Sequence, residues 1–129
     1  MVRGIAESAG EWQAGGERFT VTPGSGPEAS VLLLGGELDH DAAGTLREAL
    51  AAAVAAGRPR ILVDCADLLF CDSSGLNVIL RARLAAREAG ARIELSALRP
   101  TVARVFEITG ADTVFTIHPT LDEALAQSS

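Results

Sequence analysis

The chain has 129 residues, 48% of them hydrophobic, which suits one domain with a core of its own and no need of a disulfide or metal. Its net charge of −6 argues against nucleic acid, which selects basic faces, and is compatible with a basic partner. No apolar run approaches a membrane span, so a soluble cytoplasmic protein is the expectation.

Residues 1–16 are polar and glycine-containing, read as a flexible N-terminal tail that lacks the apolar stretch of a signal peptide. Trp12 inside it either docks on the domain or stands exposed for a partner. Residues 17–127 form the expected domain. Arg18-Phe19-Thr20-Val21-Thr22 alternates as a half-buried strand does, Pro23 to Pro27 is a dense turn signal, and Ser30 to Leu34 reads as an internal strand. Together they predict a hairpin with a long loop. A helix is expected over about 41–57, with Leu46, Leu50 and Val54 on one face and Gly57 and Pro59 ending it. The next strand is 60–65, followed by a loop from Ala66 to Asp72. A second helix, about 74–89, carries Leu76, Ile79, Leu80 and Leu84 on one face and stops at Gly90. Arg92 to Ser96 alternates again. Pro100 opens a third helix with Val102, Val105, Phe106 and Ile108 inward, and Gly110 closes it. Val114 to Ile117 is a last short strand, and Thr120 with Glu123 makes a capping box for a final helix. The order β-β-α-β-α-β-α-β-α predicts an α/β domain with right-handed crossovers and a mixed, mostly parallel sheet.

The segment Asp72-Ser73-Ser74-Gly75-Leu76 lies where the 60–65 strand gives way to the second helix. Functional groups in open α/β sheets gather at that end of the strands. Two readings stand side by side. Ser73 or Ser74 caps the helix, with Gly75 clearing the approach to Ser73. Alternatively Ser73 is a phosphorylation site, its added charge of about −1.5 to −2 partly stabilised by the helix N-terminus and opposed by Asp72. Asp39 either caps the 41–57 helix that follows it or, with Glu37, shapes the field beside the acceptor.

Other chemistry has less support. Cys65 and Cys71 are expected as free, buried thiols, and with His40 and His118 they make no metal-ligand spacing. Asp39, His40 and Ser73 form a triad by residue type, but the G-x-S-x-G elbow is missing and adjacent Asp and His rarely face each other. Gly24-Ser25-Gly26 and Gly35-Gly36 have no downstream lysine, so no P-loop is present. No cofactor is expected.

Three segments in order, Gly36-Glu37-Leu38-Asp39, Asp72-Ser73-Ser74-Gly75-Leu76, and Arg99-Pro100-Thr101-Val102-Ala103-Arg104-Val105-Phe106 with Gly110, resemble the STAS domain of bacterial anti-sigma factor antagonists. The resemblance covers about residues 17 to 126. It implies a single STAS-type domain with helices mainly on one face of the sheet. It also implies a non-enzymatic, cytoplasmic partner switch. The unphosphorylated form would bind an anti-sigma factor that is itself a serine kinase, and so release a sigma factor. Phosphorylation at Ser73 would end that binding, and a serine phosphatase would restore it. Asp39, His40, Asp72, Ser74 and Gly75 would then surround the acceptor and touch the partner, with Leu68, Leu69 or Phe70 adding apolar contact. No nucleic acid and no membrane are implied as partners, and the chain would be a monomer or weak dimer. The same resemblance admits an alternative: a non-switching scaffold or accessory subunit, for instance of a lipid-transport or stress-signalling complex.

Overall fold

The computed structural model describes residues 12–14, 18–26 and 28–127. Among them the alternating and periodic segments become six strands: β1 (Trp12–Ala14), β2 (Phe19–Gly26), β3 (Ala29–Leu38), β4 (Arg60–Cys71), β5 (Arg92–Ser96) and β6 (Ile117–His118). The helices are α1 (Ala43–Ala55), α2 (Ser73–Glu88), α3 (Pro100–Thr109) and α4 (Leu121–Ala126), with short 3₁₀ turns at His40–Ala42 and Ala111–Thr113. The sheet order is β1-β2-β3-β4-β5-β6; β2 runs antiparallel to both neighbours, and β3 to β6 are mutually parallel. Each parallel strand is laid beside its predecessor in one direction. Crossovers of a single hand therefore deliver α1, α2 and α3 to the same face. The result is the expected single α/β domain with a mixed, mostly parallel sheet.

On that face Phe19, Leu34, Leu38, Ile61 and Leu95 pack against Leu46, Leu50, Leu76, Ile79 and Phe106, all essentially without solvent contact. Burying each such side chain is worth about 1.5–3 kcal/mol, which makes this layer the main source of stability. The opposite face is covered by α4. Ala124 packs on Ala29, Val31 and Leu62, flanked by Leu121 and Leu125. Buried Arg60 fastens this helix: it donates to the carbonyls of Ala124 (2.9 Å) and Gln127 (2.8 Å) at the helix end and to Glu94 Oε1 (2.7 Å). A cation at a helix C-terminus is where the dipole favours it. Glu94 also accepts from Arg92 and from His118 Nε2. Burial raises the Glu94 pKa, but those three donors outweigh it and bring it down to about 2.

The structure differs from the sequence expectation at several elements. Residues 12–14, expected in the loose tail, pair with β2 at the sheet edge (Trp12↔Val21 to Ala14↔Phe19). Residues 1–11 and the Trp12 side chain lie outside the described residues. The expected loop at Pro23 is strand, because β2 and β3 stay in register out to Gly26↔Ala29. Among the described residues β1 pairs only with Phe19 to Val21, so Pro23 has no described partner on that side that would need its missing N–H. The loop expected at Ala66–Asp72 is also mostly strand. β4 keeps its pairing with β3 as far as Leu38↔Cys71, through two register irregularities, while its pairing with β5 ends at Asp64↔Ser96. A strand paired on one side and bulged loses the alternation by which it would be recognised. The last strand shrinks to Ile117–His118, since Phe115 packs edge-to-face on Phe106 with ring centroids 6.1 Å apart. Ile108 and Leu84, expected inward, are 74% and 54% exposed.

Candidate functional site

The turn from β4 into α2 is organised by Asp72. Its backbone is extended, and its Oδ1 accepts from the N–H groups of Ser74 (2.9 Å) and Gly75 (3.2 Å). Asp72 is therefore the N-cap, and the expectation of a serine cap is corrected. A carboxylate accepts these two donors better than a hydroxyl because it is charged and faces the positive end of the helix. Ser73 becomes the first helical residue. Its side chain is exposed and has no hydrogen-bond partner among the described residues.

Gly75 has a different task from the one expected. It is buried against the end of β3, where a Cβ would lie within contact distance of Leu38 Cγ, 2.7 Å from Leu38 Cδ2 and 3.1 Å from the Leu38 carbonyl oxygen. The missing side chain lets α2 start hard against β3; it does not clear the approach to Ser73. Asp72 N–H donates to Leu38 O (3.2 Å), the second tie between these two elements.

Asp39 follows directly on β3. Its Oδ1 caps the 3₁₀ turn by accepting from Ala42 N–H (3.1 Å), and its Oδ2 accepts from Arg18 Nη1 (2.9 Å). Burial raises its pKa, but the Ala42 N–H, Arg18 and the Asp41 N–H together bring it below the usual carboxylate value. Arg18 also approaches Glu37 (3.9 Å) and Asp41 (3.7 Å), so one guanidinium serves three carboxylates. Sequence reading missed Arg18. It reaches this site because Gly36 takes a φ of +89°, which lets Glu37 N–H meet Arg18 O at 2.8 Å. A Cβ on Gly36 would collide with that same oxygen.

His40 Nδ1 lies 3.4 Å from Ser74 Oγ, so His40 meets the second serine and not the first. With both Asp39 oxygens held by Ala42 and Arg18, Asp39, His40 and Ser73 do not assemble as a triad. Cys65 and Cys71 are buried free thiols. Burial, then the Asp72 charge, pushes the Cys71 thiol up to about 12; burial, then Asp64 and Cys71, raises Cys65 as well. Neither forms a thiolate near neutral pH. Of the three apolar residues before the site, Leu68 is core, whereas Leu69 and Phe70 are 54% and 48% exposed. The surface around Ser73 thus joins a hydroxyl with no partner among the described residues, an acidic cluster centred on Arg18 and two exposed apolar side chains. No helix among the described residues is long and apolar enough to cross a membrane.

Residues 21–121 match a family model described as Mlab, STAS domain. BtrV of Bordetella bronchiseptica, described as a candidate anti-sigma factor antagonist, is 31% identical over 96 residues, which covers 74% of this chain and 83% of BtrV. Among solved structures, an anti-sigma factor antagonist from Mycobacterium paratuberculosis aligns with a TM-score of 0.76 at 29% identity, over 83% of this chain and 91% of that one. The antagonist SpoIIAA in its unphosphorylated form aligns with a TM-score of 0.70 at 28% identity, over 81% and 91%.

Proposed function

We propose that this chain, which belongs to the STAS-domain family of anti-sigma factor antagonists, is a phosphorylation-controlled partner switch with no catalytic activity of its own. In the unphosphorylated state it binds an anti-sigma factor that is also a serine kinase and so frees a sigma factor; phosphorylation at Ser73 ends the complex, and a serine phosphatase resets it. It acts in the cytoplasm as a monomer or weak dimer.

The carrying observation is the division of labour at the start of α2. Asp72 satisfies the helix N-terminus, so the Ser73 hydroxyl is exposed and bonded to nothing among the described residues. A phosphate there adds about −1.5 to −2 charge without removing a structural hydrogen bond. It falls beside the Asp72 carboxylate and near the acids around Arg18, so the surface turns strongly anionic while the fold stays as it is. Like charges brought together in an interface cost several kcal/mol. Even about 2.8 kcal/mol weakens binding roughly a hundredfold. Asp39, His40, Ser74 and Gly75 frame the acceptor, and Leu69 and Phe70 supply the apolar contact. His40 with Ser74 lacks an orienting acid among the described residues, which supports a binding role over hydrolysis.

The test is capture from host lysate by wild type, Ser73→Ala and Ser73→Asp. The first two should retain an ATP-dependent serine kinase that the third loses, and phosphate incorporated with ATP should map to Ser73. Stoichiometric labelling of Ser73→Ala would overturn the site assignment. The family model's description by Mlab, and not by an antagonist, favours a second reading as a constitutive accessory subunit. Equal capture of the same partner by all three proteins would establish that one.

A further inference from the structure

A groove runs between α1 and α2 on the face turned away from the sheet, and its two halves differ in chemistry. One half is an apolar trough of about 420 Å³ floored by Leu50, Val54, Val78, Ala82 and Ala85. The other is a polar cavity of about 460 Å³ lined by His40, Arg47, Ser74, Asn77 and Arg81. Arg47, Val78 and Arg81 line both, so the two are continuous. Each is within the roughly 300–1,000 Å³ of small-molecule sites. The trough exists because both helices present alanine along their facing turns, where larger side chains would close the gap.

The charge of this groove opposes that of the molecule. The chain carries −6, yet neither half of the groove is lined by a carboxylate. Arg47 and Arg81, both exposed, make no ion pair or hydrogen bond among the described residues. Arg18, Arg60 and Arg92, by contrast, are held by carboxylates. Two uncommitted guanidiniums stand at the junction of an apolar trough and a cavity offering a hydroxyl, an amide and an imidazole.

We propose that this groove binds a small amphiphile with a single linear apolar chain and an anionic head, the chain lying along the trough between α1 and α2 and the head held by Arg47 and Arg81. Planar guanidinium forks suit carboxylate and phosphate oxygens alike. Asn77 and Ser74 supply further donors, and the chain covers the exposed Ala51, Ala55 and Ala85 and the half-buried Val54 and Ala82 that line the trough. The head rests against Ser74, the residue next to Ser73, so an occupant sits beside the phosphorylation surface without covering its hydroxyl.

The experiment titrates the folded full chain with decanoate, decyl phosphate and decanol, each below its micelle concentration, and follows backbone amide shifts by NMR. Saturable shifts confined to α1 and α2 around Arg47, Val54, Val78 and Arg81 are expected with one or both anions, and the tighter one identifies the head group. Arg47→Gln with Arg81→Gln should weaken that binding by at least about tenfold, the loss of charge-assisted hydrogen bonds. Ala51→Glu, at an exposed position lining the trough, should weaken it similarly while leaving the helical spectrum unchanged. Equal affinity for decanol, shifts centred elsewhere, or no saturable shift with either anion would overturn the proposal. No partner protein enters the assay, so its failure leaves the switch untouched, and loss of the switch leaves this result standing.

Discussion

Replacing Gly75 by alanine tests whether the close approach of α2 to β3 is set by the missing side chain at the helix start that carries Ser73. The added Cβ would lie 2.7 Å from Leu38 Cδ2 and 3.1 Å from the Leu38 carbonyl oxygen, and closer still to Cγ. Leu38 is fully buried, so its side chain has no solvent into which to swing. Overpacking of this kind costs about 1–3 kcal/mol. Alanine regains up to about 1 kcal/mol of helix propensity over glycine, and less in a first turn. The net expectation is a loss of about 1–2 kcal/mol, or some 3–8 °C in Tm for a chain of this size. Urea denaturation at neutral pH measures it, best as a cycle with Leu38→Ala. Once the Leu38 side chain is removed, only the carbonyl contact at 3.1 Å remains, and Gly75→Ala should become neutral within about 0.5 kcal/mol. An equal cost in both backgrounds, or none in the wild type, would refute the steric reasoning.

Other consequences are as direct. Asp72→Ala should cost about 1 kcal/mol by stripping the cap from α2, whereas Asp72→Asn should preserve stability while removing a negative charge beside Ser73; denaturation midpoints distinguish the two. Because the folded Glu94 pKa lies at about 2 against an ordinary value of 4.5, its contribution is complete above the ordinary value and drains away as pH falls towards the folded one. Glu94→Gln should therefore be less stable at pH 7 and show a flatter stability profile between about pH 4.5 and 2, as measured by urea denaturation across that range. Cys65 and Cys71 should resist a thiol reagent such as DTNB at pH 8 in the folded protein and both react in urea; rapid labelling of the native form would contradict their burial and raised pKa values.

What the amino-acid sequence makes legible follows a physical dividing line. The helices announced themselves because Leu46, Leu50, Leu76 and Ile79 recur at helical spacing and are core residues in fact. The serine-bearing turn was legible because its residue types are few and its place after a strand is diagnostic. Failures cluster where pairing, not local pattern, decides. β4 continues to Cys71 because β3 is there to pair with it, and no local feature of Ala66 to Phe70 predicts that. Gly75 faces Leu38, a neighbour so distant in sequence that no local pattern points to it. Arg18 was overlooked for the same reason: only the bulge at Gly36 brings it to Asp39. Asp72 outcompeted both serines for the cap, a contest between adjacent good candidates that residue type alone leaves open.

These errors share a consequence for the site. Had Ser73 been the cap, its hydroxyl would serve the fold, and modifying it would trade stability for signal. With Asp72 as cap and Gly75 seated on Leu38, the structural work at this helix start is done by the residues on either side of Ser73. Arg18 meanwhile partly offsets three carboxylates close by, so the resting surface is less repulsive than its count of acids suggests. A phosphate on Ser73, as proposed, would add to acids that Arg18 only partly offsets, at a helix start whose Ser74 and Gly75 N–H groups Asp72 already accepts. Under those conditions a single modification changes what the surface can bind far more than it changes how the chain folds.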